Sequence, residues 1–454
     1  MTSDDKKKEL IEKLKGHHKV KVAITDIDGV LRGKYMHTDK FLSALEKGFG
    51  FCNVVFGWDS NDVCYTNNDF SGWHNGYRDI LAKPATKTYR NIPWDGNIPL
   101  VLADFWQTKE TPLAICPRQL LANVEKKAYN MGFKTMVGVE FEWFNFQESP
   151  NSIAEKDFIQ PKPLSPGMFG YSLLRSNMNQ EYFHQIIDFM QQINVPLEGL
   201  HTETGPGVYE AALQACSALE AGDRSILFKT GVKEIAAKNG LLASFMARWN
   251  KKLPGTSGHM HQSLIDAETN QPIFYSNEDK FGMSPVFQSY IAGQIECLPK
   301  LLPMLAPTIN SYKRLVEGFW APTRMSWGID NRTCALRVLN DRASSSRVEV
   351  RIAGADMNPY LAIAASIAAG LYGIEHNLEL SQQPIRGNAY EDKECEKLCS
   401  NLDSSTSLFH SSKIAKDLFG KDFVEHFTQT RRWEWQQYQE SVTNWELERY
   451  FEII

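Results

Sequence analysis

The sequence predicts an α+β protein in two parts: a small, mainly β N-terminal domain, then a much larger domain mixing strands and helices. Three observations carry this. Residues from 20 to 106 hold short apolar stretches broken by turns, "VKVAITDI", "FCNVVFGW" and "IPLVLADFW". The segment "CPRQLLANVEKKAYNMGF" sets Pro117 near a helix start, repeats apolar residues at helical spacing and closes at Gly132. Beyond it, strand-like segments alternate with helices such as "NQEYFHQIIDFMQQIN" and "SILFKTGVKEIAAKNG".

The opening run "SDDKKKELIEKLKGHHK" reads as a solvated amphipathic helix, an extension over residues 1–19. Next, "VAITDIDGVLRGKY" leads apolar residues into Asp26-Ile27-Asp28-Gly29, a strand delivering two carboxylates to its C-terminal end. That pattern resembles the nucleophile loop of haloacid-dehalogenase phosphatases, where one aspartate attacks a phosphoryl group and the second serves as acid and base. Gln147–Gly170, rich in Pro and Ser, predicts a long surface loop. The most apolar long run, Tyr360–Ile374, is too short to span a bilayer and predicts a buried helix. No internal repeat or low-complexity segment is found.

Of 454 residues, 43% are hydrophobic and 23% charged, which is ordinary for a globular protein. A net charge of −5 gives no basic field for nucleic acid. No charged-then-apolar signal segment opens the chain, and the eight cysteines lack zinc spacing. Cys395 and Cys399 fall one turn apart in a charged, helical-looking stretch and read as free thiols. A reducing cytoplasm, with no membrane partner, is the expectation.

Four later segments hold the chemistry. In "TMVGVEFEWFNF", Val137, Val139, Phe141 and Trp143 alternate with Glu140 and Glu142, so both carboxylates share one face of a strand. Adjacent ionised carboxylates repel, and such a pair calls for a cation; a solvated strand face is the plainer alternative. "LHTETGPGVYE" sets Glu203 and Glu210 on either side of a Gly-Pro-Gly turn, which could bring them to one point. "PGTSGHMHQSL" puts His259, His261 and Ser263 on one face if extended. "RVEVRIAG" places Glu349 between Arg347 and Arg351, a face suited to a polyanion beside a metal. Hard oxygen donors with one imidazole favour Mg²⁺ or Mn²⁺ over zinc, and with Mg²⁺ comes phosphate chemistry.

The ordered series "GVEFEWF", "HTETGPGVYE", "SGHMHQSL", "NSYKRLVEGFWAP", "DNRT" and "RVEVRIAGADMNPYLA" resembles the glutamine synthetase superfamily from Val20 to the C-terminus. The resemblance implies a β-grasp domain over residues 20–108. It implies a catalytic ATP/glutamate domain over 109–454, a curved antiparallel sheet surrounded by helices. "ITDIDGVLRGK" then sits where the first hairpin belongs, with Asp28-Gly29 as its turn. The later lysine and acidic motif that a phosphatase needs are also missing.

By the same resemblance, Glu142, Glu203 and Glu210 hold one metal ion, and Glu140, His259 and Glu349 the other. Glu198, His261, Ser263, Arg337 and Arg347 contact ATP. Arg314, Arg351 and Gly255 form the glutamate site, and Arg332 stabilises the transferring phosphoryl group. The implied reaction phosphorylates the γ-carboxylate of glutamate with ATP, and an amine nitrogen then displaces phosphate. Stacked hexameric rings, with sites shared between neighbours, are implied as well.

The chain departs from that family at the nitrogen site. True glutamine synthetases carry a glutamate after "KRLVPG" and an aromatic residue; here "KRLVEGFWAP" places Trp320 there, and an indole accepts no proton. The Asp-Gly-Ser-Ser segment that binds ammonium is missing, Asp59 being a loose substitute, while Asp79 matches a later family aspartate. Pro254 replaces an asparagine that touches glutamate, and Ser344 a lysine near the ATP phosphates. The favoured expectation is a ligase joining glutamate to a polyamine or small monoamine, with Trp320 walling the amine pocket. A glutamine synthetase using another base such as Glu317, and a non-catalytic relative, stand as alternatives.

Overall fold

The computed structural model describes residues 3–454. Six strands build the N-terminal sheet: β1 (Lys19–Thr25), β2 (Leu31–His37), β3 (Phe49–Cys52), β4 (Asp79–Pro84), β5 (Arg90–Ile92) and β6 (Ile98–Trp106). Their order is β2-β1-β6-β4-β3, with β5 also on β6. Only β1 and β6 run parallel; the other pairs are antiparallel. β6 is central and buried almost throughout, so it reads as a continuous apolar run rather than an alternation. The helix Thr38–Lys47 buries Phe41 and Ala44 and contacts β1, β2 and β4.

The β1–β2 turn decides the role of the two aspartates. Gly29 takes φ +79°, which glycine adopts without strain. The buried Asp26 carboxylate accepts N–H bonds from Asp28 (3.0 Å) and Val30 (2.8 Å) and the Arg32 Nε–H at 3.0 Å. Asp28 is bound by the Arg431 guanidinium, and Asn358 Nδ2 donates to the carbonyls of Asp26 and Ile27. The hairpin tip is therefore a plug locking the first sheet against later helices, and no phosphatase centre exists there.

Eight further strands form the second sheet: β7 (Phe133–Phe146), β8 (Leu197–Thr202), β9 (Val208–Leu213), β10 (Leu242–Ser244), β11 (Gly258–Asp266), β12 (Trp327–Ile329), β13 (Leu336–Leu339) and β14 (Arg347–Val350). The order is β12-β13-β14-β11-β7-β9-β8, with β10 on the end of β7. The expected antiparallel sheet holds except at the edge, where β12 and β13 run parallel. Phe141 and Trp143, on one face of β7, pack on Phe228 and Phe245. That leaves the other face for polar work.

The run Tyr360–Ile374 lies inside the buried helix Pro359–Glu375. A Cβ at Gly373 would meet the Ser289 carbonyl oxygen at 2.0 Å, so glycine there lets the helix Pro285–Leu301 approach closely. Pro117 does open a helix, Pro117–Asn130, and Gly132 follows it at φ +87°. Around the predicted surface loop, a short helix (Pro150–Ala154) forms under the buried Glu148, which gathers Ser152, Lys156 and the Lys162 N–H. Cys395 and Cys399 lie in irregular chain instead of a helix, because Asp392 turns the backbone by accepting the N–H groups of Glu394 and Cys395. All eight cysteines are free. Among the described residues, no helix is long and apolar enough to cross a membrane.

Candidate active site

Strand register assembles the acidic centre. Across the second sheet, His201 pairs with Glu210, Glu210 with Glu142, Glu140 with His259, and His261 with Glu349. Alternation along β7 and β11 puts all of these on the face opposite the aromatic core. The Gly205 and Gly207 positive-φ turn (φ +145° and +70°) folds β8 back on β9, where the Glu203 N–H donates to the Val208 carbonyl at 2.9 Å.

Two donor clusters result. Glu140, His259 and Glu349 offer ligand atoms within 4.8 Å of one another, as do His201, Glu203 and Glu210. The first cluster is the predicted set. The second contains an imidazole that the sequence reading overlooked, although His201 lies within the quoted motif and shares a strand face with Glu203. Glu142 stands opposite Glu210, and both of its carboxylate oxygens are held by Ser257 through the backbone N–H (2.9 Å) and the hydroxyl.

The electrostatics are those of a cation site. Burial, then the carboxylates of Glu142, Glu140, Glu203 and Glu349, push Glu210 up to about 9, a repulsion that a divalent cation relieves. Burial raises Glu349 too, but His259, Arg351, His261 and Arg337 outweigh it and hold it at about 2. The same competition leaves Glu140 below the usual carboxylate range, with His259 and His261 prevailing over burial. Burial and Arg351 lower His259, keeping its ring neutral as a ligand requires. Its Nε2 is buried without a hydrogen-bond partner. Carboxylate oxygens plus imidazole suit Mg²⁺ or Mn²⁺.

The family model for the catalytic domain of glutamine synthetase matches residues 114–450. The chain belongs to the glutamine synthetase family. It is 52% identical over 438 residues to type-1 glutamine synthetase 2 of Dictyostelium discoideum, covering 96% of this chain and 84% of that one. It is 37% identical over 438 residues to a glutamate–isopropylamine ligase of a Pseudomonas species (96% and 95% covered). It is 35% identical over 434 residues to a γ-glutamylethanolamide synthetase of Streptomyces coelicolor (95% and 92%). Among solved structures, ligand-free GmaS superimposes with a TM-score of 0.85 at 26% identity, over 97% of this chain and 98% of that one.

An ATP-dependent ligase of this family needs a nucleotide site beside its acidic centre. A cavity of ≈600 Å³ is lined by Glu140, Glu198, His261, Ser263 and Arg347, with Ser344 on the same wall. Arg347 Nε donates to His261 Nδ1 at 3.2 Å, so the other ring nitrogen faces Glu140 at 3.2 Å. Arg337 does not line that cavity; it bridges Glu349 (2.8 Å) and Asp330 (2.6 Å).

Arg314 is buried, donating to the carbonyls of Ile352 (2.9 Å) and Arg351 (3.3 Å), and burial pushes it down to about 10. Gly255 packs directly on it: a Cβ there would meet Arg314 Cγ at 2.8 Å and the Ala247 carbonyl oxygen at 2.3 Å. Arg351 binds Glu349 and keeps a buried Nε–H without a partner. Arg332 lies in the turn after β12. Tyr171 stacks on His201 (ring centroids 4.4 Å apart), carried there by its N–H bond to the Thr202 carbonyl at 2.6 Å. Burial and the carboxylates of Glu203 and Glu210 raise its phenol, with Arg332 opposing. Tyr171 follows the Pro- and Ser-rich segment, and nothing in its local sequence marks it.

Three candidates lie elsewhere. Asp59 is buried under Trp433, whose indole N–H it accepts at 3.0 Å while its other oxygen caps the N–H groups of Asn61 and Val63. Its carboxylate is thus committed within the chain. Asp79 begins β4 and lines a separate cavity between the first sheet and the helix Lys421–Glu440. Trp320 is 57% exposed in the loop after helix Ile309–Arg314, at φ +60°.

Proposed function

We propose that the chain is an ATP-dependent ligase joining the γ-carboxylate of glutamate to a primary amine, a polyamine or small monoamine, through γ-glutamyl phosphate. The observation that carries this is Trp320. At the position where the family places a proton-accepting glutamate, the loop presents a half-exposed indole. Glu317, the other carboxylate in that loop, accepts the Thr323 hydroxyl at 3.3 Å. Two relatives that cover nearly the whole chain are named as a glutamate–isopropylamine ligase and a γ-glutamylethanolamide synthetase.

The assigned roles follow from chemistry. Arg314 and Arg351 would grip the carboxylates of glutamate, with Gly255 leaving room for the first. Glu198, His261, Ser263, Arg337 and Arg347 would hold ATP, and Arg332 would face the transferring phosphoryl group. Bound to the two donor clusters, divalent cations would offset the charge spread over the phosphoryl oxygens. Making the acyl phosphate supplies the leaving group that a free carboxylate lacks. Asp79 would act across a subunit boundary in a homo-oligomer of stacked rings, since it lies away from the acidic centre of its own chain.

A second reading, glutamine formation from ammonium, rests on the 52% identity to a protein named glutamine synthetase. The deciding assay follows phosphate release from MgATP and glutamate with a panel of amines. Turnover with putrescine or a monoamine but not ammonium supports the amine ligase. Turnover with ammonium alone supports the second reading, and none with any amine points to a non-catalytic relative.

A further inference from the structure

Arg248 is buried with no carboxylate against it among the described residues. Carbonyl oxygens hold its guanidinium instead. Nε donates to Asn250 (3.2 Å) and Leu253 (3.0 Å), one terminal nitrogen to Lys313 (2.8 Å) and the other to Lys251 (2.7 Å). Its backbone is clasped as well: the N–H donates to Asn310 Oδ1, and Asn310 Nδ2 donates to its carbonyl, both at 2.7 Å. These bonds join the two segments that meet at the Arg314–Gly255 contact. Asn250 to Leu253 lead into Pro254-Gly255, and Lys313 precedes Arg314 at the end of the helix Ile309–Arg314. The guanidinium so fixed lies over the Phe319 ring, 4.4 Å from its centroid, well within cation–π range.

Phe319 is half-buried in a run whose other members, Val316, Glu317, Gly318 and Trp320, are exposed, and it lies outside the hydrophobic core. The hydrogen bonds of this run are local. The Val316 N–H donates to the Arg314 carbonyl (2.7 Å), the Phe319 N–H to the Val316 carbonyl (3.3 Å) and the Thr323 hydroxyl to Glu317 (3.3 Å). Gly318 precedes the ring at φ +82° with open space where a Cβ would stand, and Trp320 follows it at φ +60°. Among the described residues, no hydrogen bond, ion pair or other ring contact ties 316–320 to a segment outside 314–323. The cation under Phe319 is therefore the anchor of the stretch that carries Trp320.

We propose that Arg248 and Phe319 form a latch that sets where Trp320 stands, which makes both of them positioning residues for the amine step. The effect on the amine rests on Trp320 lining the amine pocket. Because the same guanidinium is fastened to the loop bearing Gly255 and the helix bearing Arg314, the amine wall and the carboxylate grip share one support. The test compares Phe319→Leu, which keeps apolar bulk but has no π face, with Phe319→Tyr, which keeps the face. Amide hydrogen exchange of peptides spanning residues 315–322 is read by mass spectrometry on the full chain without substrates. Phe319→Leu is expected to lower the protection of the amides at positions 316 and 319 roughly tenfold, while peptides of β7 and β11 keep theirs; Phe319→Tyr retains protection throughout. In phosphate release, the KM for putrescine or n-propylamine should rise roughly tenfold in Phe319→Leu while the KM for ATP stays put. Full protection in Phe319→Leu overturns the latch, and so does a loss in Phe319→Tyr as deep as in Phe319→Leu. Faster exchange in Phe319→Leu alone, with the amine KM unchanged, upholds the latch and removes Trp320 from the amine pocket instead.

Discussion

Ser257 grips Glu142 at both ends of its carboxylate, with the backbone N–H 2.9 Å from Oε2 and the hydroxyl on Oε1, while the Glu142 N–H returns a 2.9 Å bond to the Ser257 carbonyl. The pairing fixes the rotamer of a carboxylate that faces Glu210 across the β7–β9 ladder. Ser257→Ala removes the hydroxyl bond but keeps the backbone one. Losing one hydrogen bond to a charged group costs about 2 kcal/mol. The expected result is a Mg²⁺ requirement raised roughly tenfold or more, with little change in the KM for ATP. Ser257→Thr restores the hydroxyl and should recover most of the loss in the same magnesium titration.

His201 is set up as a ligand by its own backbone. Its Nδ1 lies 3.1 Å from the Thr202 carbonyl and so carries the proton, leaving the Nε2 lone pair 3.8 Å from Glu210. His201→Ala should weaken Mn²⁺ binding to the chain at least tenfold, read by electron paramagnetic resonance of free Mn²⁺ during titration. Mg²⁺ should suffer less, since imidazole favours the transition metal. Equal losses for both ions would show that His201 acts through packing.

Gly255 tests the proposed glutamate site by space alone. Gly255→Ala drives a methyl into Arg314 Cγ and the Ala247 carbonyl, so the guanidinium must shift. The KM for glutamate should rise roughly tenfold or more while the KM for ATP stays put, measured by steady-state phosphate release.

Much of the acidic centre is legible in the sequence alone. Period-two alternation exposed Glu140 beside Glu142 and His259 beside His261, because a strand sends alternate side chains to one face. The Asp28-Gly29 turn followed from a local backbone preference that the structure keeps. What stayed hidden depends on contacts between distant segments. Ser257 meets Glu142 only because β11 lies beside β7 in one particular register. Tyr171 reaches His201 through a backbone bond that spans about thirty residues, among them two helices and the strand β8. Asp59 looked available because nothing nearby announces Trp433, far along the chain, as its partner. Cys395 and Cys399 looked helical by spacing, but one carboxylate, Asp392, bent the backbone instead.

Trp320 occupies left-handed backbone, φ +60°, which costs a bulky residue about 1–2 kcal/mol. Trp320→Gly relieves that strain, so its melting temperature should not fall. Any loss of amine turnover in it then reports the indole and not unfolding. Trp320→Glu should move preference from primary amines towards ammonium, measured as the ratio of kcat/KM values. An unchanged ratio in both variants would remove Trp320 from the amine pocket.

His426 also makes stability depend on acid. Burial, then Arg431, lowers its ring from 6.5 to about 3, so the unfolded chain takes up a proton that the folded one refuses. The stabilisation is complete above pH 6.5 and drains away as pH falls towards 3. His426→Phe keeps the edge-to-face packing on Phe56 and Phe70 and removes the titration. Between pH 7 and pH 5, urea midpoints of the wild type should fall further than those of the variant, because other acid-sensitive groups are common to both. Parallel losses in the two proteins would mean that the folded ring takes up its proton as readily as the unfolded one.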